Sequence, residues 1–260
     1  MMNKKSWMMT LAACTVSLVS FSAAGYDLGS SEVVAKYITE PVKLDGKLDE
    51  GAWTNAPAYS LSLPLKSYST LPESMQKNLG DKLQEKGKVK LLWDDNYLYV
   101  GAEFEDSDVM QEGNEDQAHL YGTGDLIEVF LKPAKANYYW EIYGTPNNKK
   151  TWYAFPSRGR IVFPACGNYK PENFKVAATT DGTLNNWKDK DKSWTIEMAI
   201  PIKELTVYGA KFDNSAEWTI LLARYNYSVY LQKPELSAYP QLSNVNWHIY
   251  EEYARLRLEK

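Results

Sequence analysis

The chain is poor in the residues that most metal and redox chemistry needs. It has two histidines, His119 and His248, and two cysteines, Cys14 and Cys166, in 260 residues. Two histidines make a poly-histidine zinc site a poor expectation. Positive charge is not in excess: 29 Lys and Arg against 33 Asp and Glu give a formal net charge of −4. A protein that gripped nucleic acid by its phosphates would carry the opposite balance. G-x-S-x-G, H-E-x-x-H and Walker-type motifs are missing. Gly122-Thr123-Gly124 is too short for a dinucleotide fingerprint and precedes a strand rather than a helix. No apolar run after residue 24 is long enough to span a bilayer. What the chain has in plenty is aromatic, at 13%, with 19 Tyr and 9 Trp. Hydrophobic and charged fractions of 44% and 24% are those of a globular protein. This length supports a core without disulfides.

Residues 1–24 read as a signal peptide. Lys4 and Lys5 form the positive region, Trp7 to Phe21 the apolar stretch, and Ser22-Ala23-Ala24 the cleavage site. A second reading is that Leu11-Ala12-Ala13-Cys14 resembles a lipobox, with Cys14 lipidated. Both predict export, to the periplasm or the outside. Cleavage after Ala24 removes two lysines and no acids, making the net charge more negative by two. It also leaves Cys166 alone, so that no internal disulfide forms. Ile161, Val162 and Phe163 just before Cys166 predict that it is buried.

The remainder, 25–260, reads as one domain without repeats. Leu71 to Gly87 is polar and predicts a long loop or short helix; Asp106 to Gly124 is a second polar stretch. Between them the period is two. Val89, Leu91 and Trp93 alternate with lysines, Asp94-Asp95-Asn96 makes a turn, and Leu98, Val100, Ala102 and Phe104 alternate onward. This predicts a hairpin with one buried face. Ile127, Val129 and Leu131 oppose Glu128 and Lys132 in the next strand. Tyr138 to Tyr143 and Thr151 to Phe155 follow, joined by a loop carrying Pro146-Asn147-Asn148. Trp194, Ile196, Met198 and Ile200 mark another strand, which Pro201 ends because it cannot donate to a ladder. Trp218 to Tyr225 and Tyr253 to Leu258 complete the set, and only Leu48 to Trp53 and Ile202 to Leu205 look helical. The pattern predicts an all-β, antiparallel β-sandwich.

Val42 to Trp53 reads V-K-L-D-G-K-L-D-E-G-A-W. This resembles the opening I-x-L-D-G-x-L-D-E-x-x-W of the family 9 carbohydrate-binding modules. Val89 to Val100 looks like that family's first core hairpin. Glu105-Asp106-Ser107-Asp108, then Gly124 to Phe130, then Trp194 to Pro201 (W-x-x-E-x-x-I-P) follow in the family's order. Trp218 to Arg224 and Trp247 to Leu258 close the pattern, so the likeness spans about residues 33–260. The resemblance implies a jelly-roll-like sandwich, immunoglobulin-like in outline, that binds an oligo- or polysaccharide without cleaving it. It implies a grip on chain ends by two tryptophans, with polar side chains and structural calcium. A pyranose packs its C–H face on an aromatic plate while its hydroxyls take hydrogen bonds.

Carried over residue by residue, the resemblance places Trp247 as the late platform, with Asn244 and Asn246 beside it to bond hydroxyls. Glu128 matches the polar residue after the first platform. That first platform falls near Gly122, where Tyr121 is the nearest aromatic. Glu141 stands where the family has an arginine. Arg224 is a candidate fork for a sugar or carboxylate; its alternative is a structural ion pair. Arg158 and Arg160 are candidates toward an acidic sugar, or a solvated basic loop. Asp106, Asp108 and Asp125 are candidate calcium ligands, or solvated turn acids. Trp93, Trp194 and Trp218 are expected in the core, and Trp53 as a plug. Relatives sharing the sandwich bind haem, which makes Met110, Met198, His119 and His248 a rival ligand set for electron transfer. A third reading is an envelope protein-interaction module without a sugar site.

Overall fold

The structure, a computed structural model, describes residues 31–65, 82–158 and 166–260. The signal peptide, Cys14, most of the polar stretch after Leu71, Arg160 and the apolar triplet before Cys166 lie outside the described residues.

Among the described residues twelve strands run in chain order: β1 (Glu32–Tyr37), β2 (Ala58–Ser60), β3 (Gly87–Trp93), β4 (Tyr97–Glu105), β5 (Leu126–Pro133), β6 (Tyr139–Gly144), β7 (Lys150–Phe155), β8 (Lys175–Asp181), β9 (Ser193–Pro201), β10 (Trp218–Asn226), β11 (Glu235–Tyr239) and β12 (Ala254–Glu259). Two single-turn helices, α1 (Gly51–Asn55) and α2 (Ile202–Leu205), lie near the helical segments the sequence predicts. The strands hydrogen-bond in the order β7-β6-β5-β10-β12-β1-β3-β4-β9-β8, with β11 on β10 and β2 on β3. The two halves of this run face each other. Val89, Leu91, Val100 and Ile196 from one half meet Val129, Ile142, Ile220 and Leu222 from the other in the main core.

The predicted hairpin forms in register, Leu91 opposite Val100 and Val89 opposite Ala102. Its turn is set by Asp94, whose Oδ1 accepts the N–H of Asn96 and of Tyr97, each at 2.7 Å. A short carboxylate in this position mimics a backbone turn. β9 ends at Pro201 as expected. One expectation changes. The sheet is mixed rather than purely antiparallel, because β1 runs parallel to both β12 and β3. No hairpin ties β1 to either neighbour, so nothing forces the antiparallel sense.

The opening motif and the late strand are parts of one lock. Glu197 on β9 is fully buried. Its Oε2 accepts the N–H of Asp45 and Gly46, at 2.9 and 3.0 Å, and its Oε1 accepts Trp53 Nε1 at 3.0 Å. Gly46 has φ +79°, and a Cβ there would come within 2.7 Å of the Ala178 backbone. Only glycine suits both demands. The lock seats 38–56 over the outer face of β3, β4 and β9.

The outer face of the other half is also covered. Phe130, Tyr139, Tyr143, Tyr153, Phe155, Leu221 and Ala223 form a second core with Leu242, Trp247 and Tyr253 from the loop before β12. β5 and β6 are therefore buried on both faces throughout.

Candidate functional site

Alternation along β5, β6 and β10 decides what faces this second core. Ile127, Val129 and Leu131 point into the main core, which turns Glu128 and Phe130 the other way. On β6 the same rule turns out Glu141 and Tyr143, and on β10 it turns out Tyr225. The loop before β12 does not fill the space completely. A cavity of about 250 Å³ remains, lined by Tyr121, Glu128, Phe130, Glu141, Tyr143, Tyr225, Val245, Asn246, Trp247 and His248. That is just below the ~300 Å³ lower end of small-molecule pockets, so it suits one ring or a chain end.

The walls are aromatic. Tyr121 is 37% exposed at the mouth and tilts against Tyr225 with ring centroids 5.9 Å apart. Trp247 is 5% exposed and meets Tyr225 edge-on. It is a wall of the cavity, not the open platform that the sequence suggests.

The polar groups inside are unusual. Glu128 and Glu141 are both buried. Register pairs Glu128 with Tyr143 and Phe130 with Glu141. The two carboxylates are thus diagonal neighbours on one face, at about 7–8 Å between Cα atoms for such pairs. The Tyr143 hydroxyl donates to Glu141 Oε1. Among the described residues, Oε2 of Glu128, Oε2 of Glu141 and Nε1 of Trp247 are buried with no hydrogen-bond partner. Native proteins rarely leave such atoms unsatisfied unless something outside the fold completes them. Burial raises the Glu128 carboxyl well above its ordinary range, and the charge of Glu141 adds to this. Burial likewise pushes Glu141 up to about 7, the Tyr143 hydrogen bond opposing. His248 is pushed the other way, by burial and then by Arg158, so it is neutral at neutral pH.

Of the six predicted ligand-binding residues, Tyr121, Glu128, Asn246 and Trp247 meet in this cavity. Asn246 is exposed at its rim, and its Oδ1 accepts the His248 N–H at 3.1 Å. Asn244 is exposed and outside the lining, with its Oδ1 turned back to the Val245 N–H. Arg224 is a correction. It sits on the opposite face of β10 from Tyr225, is fully buried, and its Nη2 donates to Asp106 Oδ2 at 2.9 Å and to Asn226 Oδ1 at 3.0 Å. The structural ion pair is its role. Tyr143 and Tyr225 also line the cavity, which sequence reasoning did not assign, as do Glu141, read only as standing at the family's arginine position, and His248, read only as a haem candidate. Arg158 pairs with Glu251 and lies over Tyr250.

The calcium expectation finds no fit among the described residues. Asp106 accepts from Arg224, Trp194 Nε1 and the Asp108 N–H. Asp108 accepts the Val229 N–H, and Asp125 the N–H of Met110 and of Tyr227. All three are buried, so they are not solvated turn acids either. They hold loops to one another, and among the described residues no group of three or more His, Cys, Asp or Glu could hold a metal ion. The haem set does not converge: Met198 packs in the main core, while His248 meets Phe130 and Phe155 in the second.

Larger concavities carry less chemistry. One of about 530 Å³ beside Lys132 and Tyr250 has its ammonium already donating to the carbonyls of Pro133 and Ala134. One of about 490 Å³ over Tyr138, Phe155 and Tyr208 is lined by none of the partnerless buried atoms.

A protein of Bacteroides uniformis, described provisionally as carbohydrate-binding, shares the fold with a TM-score of 0.62 at 9% identity, over 88% of this chain and 99% of its own. A family 9 carbohydrate-binding module of Caldicellulosiruptor kristjanssonii, in complex with cellotriose, gives 0.52 at 18% identity, over 88% and 93%. A structure of a family 9 module from the same organism with glucose gives 0.53 at 17%, over 88% and 95%. At these identities the likeness is one of fold. No curated protein sequence matches the chain. The sequence model of the carbohydrate family 9 binding domain-like proteins matches residues 44–226, from just before the Glu197 lock to the end of β10. Trp247 and Asn246 lie beyond that match. The chain belongs to the carbohydrate family 9 binding domain-like family.

Proposed function

We propose that this protein binds a saccharide, by one ring or a chain end, in the cavity between β5, β6, β10 and the loop before β12, and does not cleave it. The observation that carries the reading is the cavity itself. Aromatic walls from Tyr121, Tyr225 and Trp247 enclose three buried polar atoms that have no hydrogen-bond partner among the described residues. A sugar ring offers an apolar face to the first and hydroxyls to the second. Family membership and two neighbours in complex with glucose and cellotriose support it. Binding without turnover is part of the reading, and the family's description as a binding domain supports it. Export is part of the reading, resting on residues 1–24, with a lipid anchor at Cys14 as its variant. Among the described residues no helix is long and apolar enough to cross a membrane.

Calorimetry against mono-, di- and oligosaccharides tests this. Tyr121 is at the mouth and partly exposed, so Tyr121→Ala leaves the unfolding midpoint unchanged while weakening binding by about three- to tenfold, the worth of an aromatic contact. The recovered sugar is intact. No binding to any member of the panel, or steady hydrolysis by pure protein, would overturn the reading.

A further inference from the structure

Among the described residues the cavity holds two carboxylates and no fixed cation. None of its described lining residues is Lys or Arg, and the one histidine among them, His248, has Nε2 3.9 Å from Glu141 Oε2 and Nδ1 on the Tyr139 hydroxyl at 2.8 Å. The nearby cations are engaged elsewhere. Lys132, on the same face of β5 as Glu128, donates to two carbonyls and lies over Tyr250. Arg158 pairs with Glu251, and Arg224 is behind the sheet with Asp106. Tyrosine hydroxyls also surround the pair, among them Tyr121 at the mouth, Tyr139 and Tyr143 on β6, Tyr153 on β7, Tyr225 on β10, Tyr227 after it and Tyr253 before β12.

Resting on the saccharide reading above, we infer that the preferred ligand carries a cationic amino group, as an amino sugar does, and that this group is held between Glu128 and Glu141. An ammonium brings three donors and needs no acceptor. It can satisfy Oε2 of both glutamates, neither of which has a hydrogen-bond partner among the described residues. It also lets both carboxylates ionise, which their burial side by side otherwise opposes. The aromatic walls help rather than hinder, because ring faces attract cations. A neutral sugar satisfies the same oxygens with hydroxyls but gains no charge-assisted bond from the pair. An acidic sugar brings a further carboxyl and no positive charge.

The experiment is a set of titrations of the whole protein at neutral pH with glucosamine, glucose, N-acetylglucosamine and glucuronic acid, and with the matching disaccharides. Glucosamine or its dimer is expected to bind at least about tenfold more tightly than glucose and N-acetylglucosamine, about 1.4 kcal/mol, with glucuronic acid weakest. N-acetylglucosamine has nitrogen at the same carbon without the charge, so it separates charge from shape. Glu141→Gln and Glu128→Gln reduce the ratio of amino-sugar to neutral-sugar affinity toward one. A chelator leaves the ratio unchanged; a ratio that depends on added calcium would mean that a metal fills the pair, and would overturn the inference. Neutral sugars binding as well as amino sugars would overturn it while leaving the saccharide reading intact. Failure of every sugar to bind would remove both.

Discussion

Arg224 Nη2 donates to Asp106 Oδ2 at 2.9 Å, and neither side chain is exposed to solvent. The strand that presents Tyr225 to the cavity holds this pair on its other face. Trp194 Nε1 and the Asp108 N–H complete Asp106, and Phe104 lies 4.7 Å beneath the guanidinium. Burial raises the Asp106 carboxyl to about 6, Arg224 opposing, so it is still ionised at neutral pH. Removing one partner of a buried pair strands the other charge. Arg224→Ala is expected to cost about 3–5 kcal/mol of stability by denaturant unfolding. If Arg224 touched ligand instead, the loss would appear in affinity with stability intact.

The lock on Glu197 is the second test. Glu197→Ala leaves two backbone N–H groups and the Trp53 indole N–H buried and unpaired. At about 1–3 kcal/mol for each such group, the variant loses at least about 3 kcal/mol. Glu197→Gln keeps an acceptor for some of these donors and loses less. Denaturant midpoints of the two variants check the ranking.

The carboxylate pair in the cavity carries the opposite expectation. Glu128 and Glu141 hold protons in the folded state at pH values where the unfolded chain has released them. For Glu141 that stabilising share is complete below the ordinary 4.5 and is lost as pH rises through about 7. The ligand-free protein is therefore less stable on the alkaline side of that window. Asp106, Asp125 and Glu197 are raised as well, so the comparison is with Glu128→Gln and Glu141→Gln, which flatten the pH profile. Each variant is expected to be more stable than wild type at neutral pH by about 1–3 kcal/mol, the usual cost of an uncompensated buried polar group. A site that binds keeps such groups at the expense of stability. Unfolding midpoints at about pH 5 and about pH 8 decide it.

Much of the fold is legible because alternation is strong where one face packs and the other does not. Val89 to Phe104 and Trp194 to Pro201 read as strands for that reason. β8 escapes because Lys175–Asp181 is a half-exposed edge of small residues, and β1 because its parallel partners come from distant parts of the chain. The site is harder to read. Glu128 and Glu141 occupy positions that alternation assigns to a solvated face. The signal against that assignment was present: Phe130, Tyr139, Tyr143, Tyr153 and Phe155 share that face, and aromatics do not line a solvated one. Arg224 misleads for the reverse reason. Nothing in a strand's pattern says that its polar residue points inward to an aspartate more than a hundred residues away.

The most direct measurement follows the indole N–H signals by NMR during a saccharide titration. Trp247 Nε1 is buried without a partner, whereas Trp53 Nε1 is held by Glu197 and Trp194 Nε1 by Asp106. The panel is the neutral and amino sugars named above, and Trp247→Phe assigns the signal. The account predicts that the Trp247 resonance shifts saturably while those of Trp53 and Trp194 stay in place. A Trp247 signal that does not move with any of these sugars, or a saturable shift confined to the exposed Trp187, would contradict it.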